Sequence, residues 1–317
     1  MNLASAFADS VRKQPQKPAL FWGEREYAYA ELWDQTRLVC HQLQEQFGVQ
    51  PGDRVGLWLK NCPEFVPAFF GILHAGAVVV PINNFLKADE VNFILQDAGI
   101  DVLVTDAELG THHRSLHAVR PQLKLFKVEA LQEPVLNGSA AAVATLGLPH
   151  ATERDLAVII YTSGTTGRPK GAMLSHGNLL HNVESCRLVL QTVPADRFAV
   201  LLPLFHSYML TVGLLLPLLV GGSMVLVKSL HPARNVLQEI LQRQATILPA
   251  IPQFYRSMVS ASLPVPLPLR ICLSGAAPLP VQVLQEFEAR FHIPLIEGYG
   301  LSEASPVVTK NPLDSTR

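Results

Sequence analysis

The stretch from Tyr161 to Gly171 holds the residue types that bind phosphate groups. It reads Tyr-Thr-Ser-Gly-Thr-Thr-Gly-Arg-Pro-Lys-Gly and directly follows the apolar segment 156–161. Glycines let a backbone approach a ligand closely, hydroxyls and backbone N–H groups donate hydrogen bonds, and Lys170 supplies a positive charge. The spacing matches neither the G-x-x-x-x-G-K-[ST] nor the G-x-G-x-x-G pattern. We therefore predict a phosphate-binding loop of another type, rather than an ordinary polar turn.

Two further segments carry chemical groups in unusual surroundings. His206 lies in the stretch 198–227, which contains no Asp, Glu, Lys or Arg. A histidine there is either a hydrogen-bonded core residue or a group that faces a ligand. Glu303 is the one acidic residue in the glycine-containing segment 298–306.

Together these motifs resemble the adenylate-forming superfamily, which includes acyl-CoA synthetases, aryl-CoA ligases, luciferases and the adenylation domains of peptide synthetases. The stretch from Tyr161 to Gly171 is similar to the signature of that superfamily. Other similar segments follow in the order of the family: His74–Asn83 with Lys87–Glu90, Pro203–His206, Ser274–Pro278 and Gly298–Pro306. The earliest of them is typical of fatty-acid–CoA ligases, whereas peptide-synthetase domains differ there. The resemblance extends over nearly the whole chain.

The resemblance implies a role for each matching position. Lys170 and its neighbours would hold the β- and γ-phosphates of ATP; these neighbours are Thr162, Ser163, Gly164, Thr165, Thr166 and Gly167. Ser302 would donate a hydrogen bond to the α-phosphate, and Glu303 would bind Mg²⁺. The adenine would lie against the small or flat residues Gly275, Ala276, Ala277, Gly298, Tyr299 and Gly300. His206, with Phe205 beside it, would line the acyl pocket and orient the carboxylate.

The implied reaction activates a carboxylic acid in two steps. The carboxylate attacks the α-phosphorus of ATP and expels pyrophosphate, and the thiol of CoA then attacks the acyl adenylate. A carboxylic acid is already ionised at pH 7, so the first step requires no general base. The barrier is repulsion between anions, which Mg²⁺, Lys170 and neutral donors would reduce. ATP and CoA are thus the expected co-substrates.

The residues leave several classes of acid substrate possible. We interpret the acid as a medium- or long-chain fatty acid, because an apolar segment surrounds His206 and the early segments resemble fatty-acid ligases. Aryl acids such as hydroxycinnamates are an alternative, since that branch shares two of the patterns. An acyl-AMP ligase that loads a carrier protein would differ only in its thiol acceptor. A further alternative, from another functional class, is an inactive relative that binds nucleotides. The intact Lys170 and Glu303 count against it.

The elements that must position these residues alternate between strand and helix. Helices are predicted over 30–47, 63–74, 89–98, 208–220 and 280–291, and strands over 55–59, 77–80, 101–105, 156–161, 198–202, 223–227, 269–273 and 293–296. This alternation predicts an α/β fold of two doubly wound, mainly parallel sheets. We expect a first lobe over 45–190 that ends in the phosphate loop, an irregular connection over 127–154, and a second lobe over 191–317 together with 1–44.

Composition excludes some functional classes. Lys and Arg total 25 and Asp and Glu total 26, so the net charge of −1 argues against a general nucleic-acid binder. The stretch 198–227 is long enough to span a membrane, but its prolines and glycines divide it into strand-sized and helix-sized pieces, which favours a buried α/β core. A peripheral membrane contact stays open, because fatty acids partition into bilayers.

Cysteine and histidine spacing points away from disulfides and metal sites. The four cysteines are far apart, which predicts buried thiols in a reducing, cytoplasmic compartment. His113 and His117 are four residues apart with no third ligand, so we predict that they lie on a solvated helix face.

The pattern of the superfamily continues beyond residue 317. Relatives carry an Asp that binds the ribose, a hinge and a small C-terminal domain with a lysine that contacts the reacting groups, whereas this sequence has neither a T-G-D segment nor a G-R-x-K-D hinge. We therefore expect the front part of a longer enzyme, truncated before the β-barrel part and the C-terminal domain. On its own it should turn over little or no substrate.

Overall fold

The structure is a computed structural model that describes residues 1–132, 146–162, 167–229, 233–263, 265–311 and 313. The chain divides into two compact units. The first consists of Met1–Arg12 and Tyr29–Leu180, and the second of Lys13–Ala28 and His181–Arg317. This division differs from the predicted grouping of 1–44 with the second lobe, since only Lys13–Ala28 joins the second unit.

The observed elements follow the predicted alternation, with ends shifted by a few residues. The strands are β1 (Pro18–Trp22), β2 (Arg25–Ala28), β3 (Arg54–Trp58), β4 (Val78–Pro81), β5 (Val102–Thr105), β6 (Lys124–Lys127), β7 (Leu156–Thr162), β8 (Lys170–Ser175), β9 (Arg197–Val200), β10 (Ser223–Leu226), β11 (Ile247–Ala250), β12 (Ile271–Ser274), β13 (Leu295–Gly300) and β14 (Val307–Lys310). The helices are α1 (Leu3–Lys13), α2 (Tyr29–Glu45), α3 (Phe65–His74), α4 (Ala88–Asp97), α5 (Gly110–Val119), α6 (His176–Leu190), α7 (Ser207–Met209), α8 (Leu216–Val220), α9 (Ala233–Gln242), α10 (Pro252–Ser260) and α11 (Val281–Phe291). Within the predicted connection 127–154, a 3₁₀ turn covers Val128–Gln132, and residues 133–145 lie outside the described part.

Each unit contains one mainly parallel sheet, as predicted. In the first unit the strand order is β6-β5-β3-β4-β7-β8, and only β7 and β8 pair antiparallel. In the second unit the order is β14-β13-β12-β11-β9-β10-β1-β2, with antiparallel pairing only at its two edges. Parallel strands are covered on both faces, which explains why β4, β5, β10, β11 and β12 are buried along their whole length.

The charge-free stretch 198–227 forms buried strands and helices of the second unit. β9 leads through a loop into α7, a π-helical segment over Leu210–Leu215 and α8, and β10 follows. Gly221 ends α8 in the left-handed conformation, with φ of 84°, which a glycine adopts without steric cost. Among the described residues, no helix combines the length and the hydrophobicity needed to cross a membrane.

A buried carboxylate joins the starts of three neighbouring parallel strands in the second unit. Asp196 precedes β9 and accepts hydrogen bonds from Thr246 Oγ1 at 2.8 Å, before β11, and from Arg270 Nε at 2.7 Å, before β12. The backbone N–H of Val193 donates to it as well, at 2.9 Å. Burial opposes ionisation, but these donors hold the pKa of Asp196 below its usual range. The carboxylate therefore fixes the relative positions of the strands that lead into the candidate site.

Two predictions about polar side chains were wrong. His113 does not lie on a solvated face, because α5 packs its ring into the core of the first unit, where Nε2 lies 2.9 Å from Thr105 Oγ1. Of the four cysteines, Cys62 is only half-buried. In the part of the chain that the structure describes, no three His, Cys, Asp or Glu side chains are grouped so that they could hold a metal ion.

A glycine sets the distance between α2 and α3 in the first unit. A Cβ atom on Gly71 would lie 2.5 Å from Cβ of Val39 and 3.0 Å from the carbonyl oxygen of Thr36. Val39 and Thr36 are fully buried, so neither can move into free space. Any side chain at position 71 would push the two helices apart.

We predict that Gly71→Ala lowers the free energy of unfolding by about 1–3 kcal/mol, the usual cost of overpacking a core. Unfolding in urea measures it. Gly110→Ala is the matched control, because Gly110 also lies in a helix but no described atom is within 4 Å of an added Cβ. That control should be neutral or stabilising. Equal urea midpoints for Gly71→Ala and the unmodified chain would contradict the prediction.

A buried histidine ties the start of α1 to the start of α6. The backbone N–H of Leu3 donates a hydrogen bond to His176 Nδ1 at 3.2 Å, and the side chain of His176 is buried. Burial lowers the pKa of His176 to about 4, although Asp155 acts in the opposite direction. The folded chain therefore excludes a proton that the unfolded chain binds.

We predict that stability falls as the pH drops from about 6.5 to 4. The folded pKa lies below the unfolded one, so the unfolded chain binds more protons in this window. A shift from 6.5 to about 4 corresponds to a loss of up to about 3 kcal/mol. Urea midpoints between pH 7 and pH 5 should change less in His176→Gln than in the unmodified chain. The exposed His181→Gln should keep the original slope, and an unchanged slope in His176→Gln would contradict the account.

Candidate active site

The predicted phosphate loop connects the antiparallel strands β7 and β8 in the first unit. Thr162 and Lys170 are register partners at the end of this hairpin. Lys170 is exposed, and Gly167 has a φ of 83°, a left-handed conformation that favours glycine. Four of the predicted phosphate-binding residues lie outside the described residues: Ser163, Gly164, Thr165 and Thr166. The hairpin therefore places the cationic Lys170 opposite Thr162, which carries a hydroxyl group.

Ile159 and Tyr161 pack against Gly171 in this hairpin. A Cβ atom on Gly171 would lie 2.6 Å from Cγ2 of Ile159 and 3.4 Å from the ring of Tyr161, so glycine leaves room for both. The hydroxyl of Tyr161 donates to Asp97 Oδ2 at 2.5 Å. Burial, and then the Asp97 carboxylate, raise the pKa of Tyr161, so the phenol stays protonated and remains the donor.

A pocket of about 50 Å³ opens in the second unit. It is lined by residues that follow β9 and β12 and by the last three residues of β13, at the edge where ligands bind in open α/β sheets. Six predicted site residues line it together: His206, Gly275, Ala276, Gly298, Tyr299 and Gly300. Ser207, Tyr208, Pro306, Val307 and Lys310 complete the lining. Three segments far apart in the chain therefore converge on one cavity.

His206 has a defined protonation state in this pocket. Its Nδ1 accepts a hydrogen bond from the backbone N–H of Tyr208 at 3.3 Å and caps α7. The proton of the neutral ring must then be on Nε2. Protein atoms that displace water around the ring lower the pKa of His206, which keeps it neutral at pH 7. His206 can therefore donate one hydrogen bond from Nε2 without adding a charge.

The loop after β12 approaches an aromatic ring closely. A Cβ on Gly275 would lie 3.0 Å from Cζ of Tyr208, whose hydroxyl donates to the carbonyl oxygen of Leu273 at 3.0 Å. Ala276 has a φ of 65°, a strained conformation of the kind that clusters at ligand sites. Ala277 is exposed and does not line the pocket. The ring of Tyr208 thus forms a wall against the loop.

The segment after β13 carries the predicted α-phosphate and magnesium ligands. The hydroxyls of Ser302 and Ser207 lie 2.9 Å apart, which connects this segment to the start of α7. Glu303 is exposed in a 3₁₀ turn over Ser302–Ala304. Tyr299 is 60% exposed, so one face of its ring is open to a ligand. Neither Ser302 nor Glu303 lines the pocket itself.

Five residues that line the pocket were not among the predicted site residues: Ser207, Tyr208, Pro306, Val307 and Lys310. Ser207 and Tyr208 directly follow His206, and this position was the signal that could have identified them. Lys310 had no sequence signal, because only the pairing of β14 with β13 brings it to the pocket. Phe205 is half-buried, but it is not among the residues that line this cavity.

A family model described as AMP-binding enzyme matches residues 7–317. The chain belongs to this family. Long-chain-fatty-acid–CoA ligase of Bacillus subtilis (strain 168) is 32% identical, over 98% of this chain and 61% of the relative. Feruloyl-CoA synthase of Amycolatopsis sp is 33% identical, over 94% and 59% respectively. The superfamily inferred from the motifs is thus confirmed.

Solved structures agree with the fold of this AMP-binding chain. The crystal structure of the anthranilate CoA ligase AuaEII in complex with anthranoyl-AMP is 25% identical and matches with a TM-score of 0.88. The match covers 100% of this chain and 62% of that one. The AMP-binding chain therefore spans about three fifths of the length of these relatives.

We predict that Gly300→Ala destabilises the second unit, whereas Gly298→Ala is tolerated. A Cβ on Gly300 would collide with the backbone carbonyl oxygen of Pro306, which cannot move away without breaking the loop. A Cβ on Gly298 would meet the flexible side chain of Lys310 at 3.3 Å, and the carbonyl oxygen of Thr309 at 3.6 Å, an ordinary van der Waals distance. Thermal unfolding should show a loss of about 1–3 kcal/mol for Gly300→Ala and less than about 1 kcal/mol for the control. A larger effect at Gly298 than at Gly300 would contradict the predicted packing.

Proposed function

We propose that the protein activates a carboxylic acid with ATP to form an acyl adenylate and pyrophosphate, and then transfers the acyl group to the thiol of CoA. The observation that carries this proposal is the convergence of six predicted site residues on one pocket beside His206. Membership of the AMP-binding family supports the same chemistry. The chain spans about three fifths of its relatives, so the complete reaction is proposed for the natural gene product.

The matching residues would have different tasks in this reaction. A carboxylate oxygen bonds to the α-phosphorus while the bond to pyrophosphate breaks, so both reactants are anions. Lys170 and the hydroxyls beside it would hold the β- and γ-phosphates and offset their charge. Ser302 would donate to the α-phosphate. His206 is neutral and would orient the acid by a hydrogen bond from Nε2 without pairing with its charge.

Glu303 fits the role of a magnesium ligand. Mg²⁺ usually takes one or two carboxylates together with substrate phosphates and water, rather than a cage made of protein ligands. The carboxylate of Glu303 is exposed, and the described residues offer no larger acidic cluster. Glu303 would therefore hold the ion together with the phosphates of ATP. When bound, Mg²⁺ neutralises charge that develops on the phosphate oxygens.

The identity of the acid is not decided by the relatives. Their names include ligases of long-chain fatty acids, ferulate and oxalate, at 32%, 33% and 29% identity. A medium- or long-chain fatty acid stays a prediction from the apolar residues around His206, and an aryl acid is the alternative. A carrier-protein thiol in place of CoA is the second alternative.

We predict that Lys170→Ala and Glu303→Ala each lower acid-dependent pyrophosphate release by about 10²–10³-fold, since each removes one charged group from the transition state. The assay uses the natural gene product with ATP, Mg²⁺ and a panel of fatty, aryl and short dicarboxylic acids. Lys13→Ala and Glu24→Ala are matched controls, because both residues are exposed and lie outside the candidate site.

Two results would contradict the proposal. If no acid raises pyrophosphate release above background, the ligase function fails. ATP binding without pyrophosphate release would instead support the inactive nucleotide-binding relative.

A further inference from the structure

The side chain of Asn182 is bound to the backbone of a strand far along the chain. Asn182 lies on α6, and its side chain is buried. Its Nδ2 donates a hydrogen bond to the carbonyl oxygen of Val307 at 2.7 Å, and its Oδ1 accepts one from the backbone N–H of Val307 at 3.2 Å. The two residues are 125 positions apart. One side chain therefore binds both polar backbone groups of a single residue.

A carboxamide suits this pair of bonds, because it carries a donor and an acceptor side by side, as a peptide group does. Val307 is the first residue of β14, which lies at the edge of its sheet in the part of the chain that the structure describes. An edge strand leaves one row of backbone groups unpaired. Asn182 therefore takes the place of a neighbouring strand at this one residue.

Val307 directly follows the turn that carries the predicted α-phosphate and magnesium ligands. This turn connects β13 to β14 and contains Ser302 and Glu303. The backbone N–H of Leu301 donates to the carbonyl oxygen of Pro306 at 2.9 Å, which closes the turn. The bonds to Val307 therefore fix the point where the chain leaves the turn.

Helix α6 also contacts the other end of β14. Cys186 lies one turn beyond Asn182 on α6, and Lys310 is the last residue of β14. Burial lowers the pKa of Lys310, while the Cys186 thiol acts in the opposite direction as a hydrogen-bond partner. Val308 and Thr309, between these two points, are exposed. The helix thus holds both ends of the strand.

We infer that Asn182 is a positioning residue, which holds Ser302 and Glu303 where the α-phosphate of ATP and Mg²⁺ would bind. This inference rests on the proposed function and deepens it. Asn182 does not line the pocket, so it acts through the backbone of Val307.

The position of this turn matters for the proposed reaction, because the turn carries two groups that would act on the phosphates. A group that is misplaced by about 1 Å can cost about 10²-fold in rate. The hydroxyl of Ser302 lies 2.9 Å from that of Ser207, which holds the early part of the turn. Asn182 supplies the matching support at its other end.

Asn182→Ala tests the inference, because it removes both hydrogen bonds to Val307 and adds no charge. The natural gene product would be assayed for pyrophosphate release at increasing Mg²⁺ concentrations, with the acid that the unmodified protein turns over fastest. We expect kcat to fall and the half-saturating Mg²⁺ concentration to rise, each by about 10-fold or more, the usual cost of removing a group that orients a metal ligand.

Asn178→Ala is the matched control on the same helix. The side chain of Asn178 accepts a hydrogen bond from the backbone N–H of Ser175 at 3.0 Å, so this variant also loses a contact and some stability. It leaves the bonds between Asn182 and Val307 in place. We therefore expect the half-saturating Mg²⁺ concentration and kcat of Asn178→Ala to equal those of the unmodified protein.

Hydrogen exchange gives a second readout that does not depend on turnover. Mass spectrometry would follow the backbone amides of residues 300–310 in the natural gene product without ATP or Mg²⁺. Asn182→Ala should speed their exchange, because the N–H of Val307 loses its acceptor and the turn opens more often. Asn178→Ala should leave it unchanged. If thermal unfolding shows that Asn182→Ala is not folded, the isosteric Asn182→Asp, which lacks only the donor, takes its place in both measurements.

Each contrary result has its own meaning. A fall in kcat with an unchanged half-saturating Mg²⁺ concentration would show that Asn182 serves stability alone and would overturn the inference, while the proposed ligase function would stand. Unchanged exchange over residues 300–310 would overturn it as well. If the unmodified protein releases no pyrophosphate with any acid, the proposed function fails, and the exchange rates still decide whether Asn182 holds the turn.

Discussion

The buried carboxylate of Asp196 is the interaction on which the second-unit site depends. It accepts hydrogen bonds from the residues that precede β11 and β12, and it directly precedes β9 itself. Removing one partner of a buried ion pair typically costs about 3–5 kcal/mol, because the other charge is left unpaired. β9, β11 and β12 are parallel, so their relative positions at one end determine where the loops emerge at the other. His206 and Gly275 meet in one pocket because these strands cannot slide past one another.

Each unit contributes a different kind of group to the candidate site residues. Lys170 is exposed on its hairpin in the first unit, and the carboxylate of Glu303 is exposed in the second. In the second unit, burial lowers the pKa of His206, and the backbone N–H of Tyr208 donates to its Nδ1. A cation and a neutral donor suit reactants that are all anions, because both lower the repulsion between them.

The sequence predicted those features that depend on local chemistry. Prolines and glycines mark the ends of elements, so the strands and helices around 198–227 were placed to within a few residues. Three motifs, Pro203–His206, Ser274–Pro278 and Gly298–Pro306, contain six of the residues that line the pocket. These signals are local, because turn chemistry and short apolar runs act over a few residues.

Features that depend on tertiary packing were not predicted. His113 is buried because Thr105, on another element, offers it a partner. Lys310 reaches the pocket only because β14 turns back antiparallel to β13 and pairs with Gly298. The grouping of residues 1–44 also differs from the prediction, since Met1–Arg12 and the residues from Tyr29 onwards belong to the first unit, and only Lys13–Ala28 joins the second. Each of these outcomes is set by contacts between segments far apart in the chain.

Oxygen transfer tests the central claim most directly. The natural gene product would be incubated with ATP, Mg²⁺, CoA and an acid labelled with ¹⁸O in its carboxylate, and the nucleotide products would be analysed by mass spectrometry. If the carboxylate attacks the α-phosphorus, the later attack of the thiol breaks the bond between the acyl carbon and that oxygen. Each turnover then leaves one labelled oxygen in AMP. Label in inorganic phosphate together with ADP, or AMP free of label, would contradict the account.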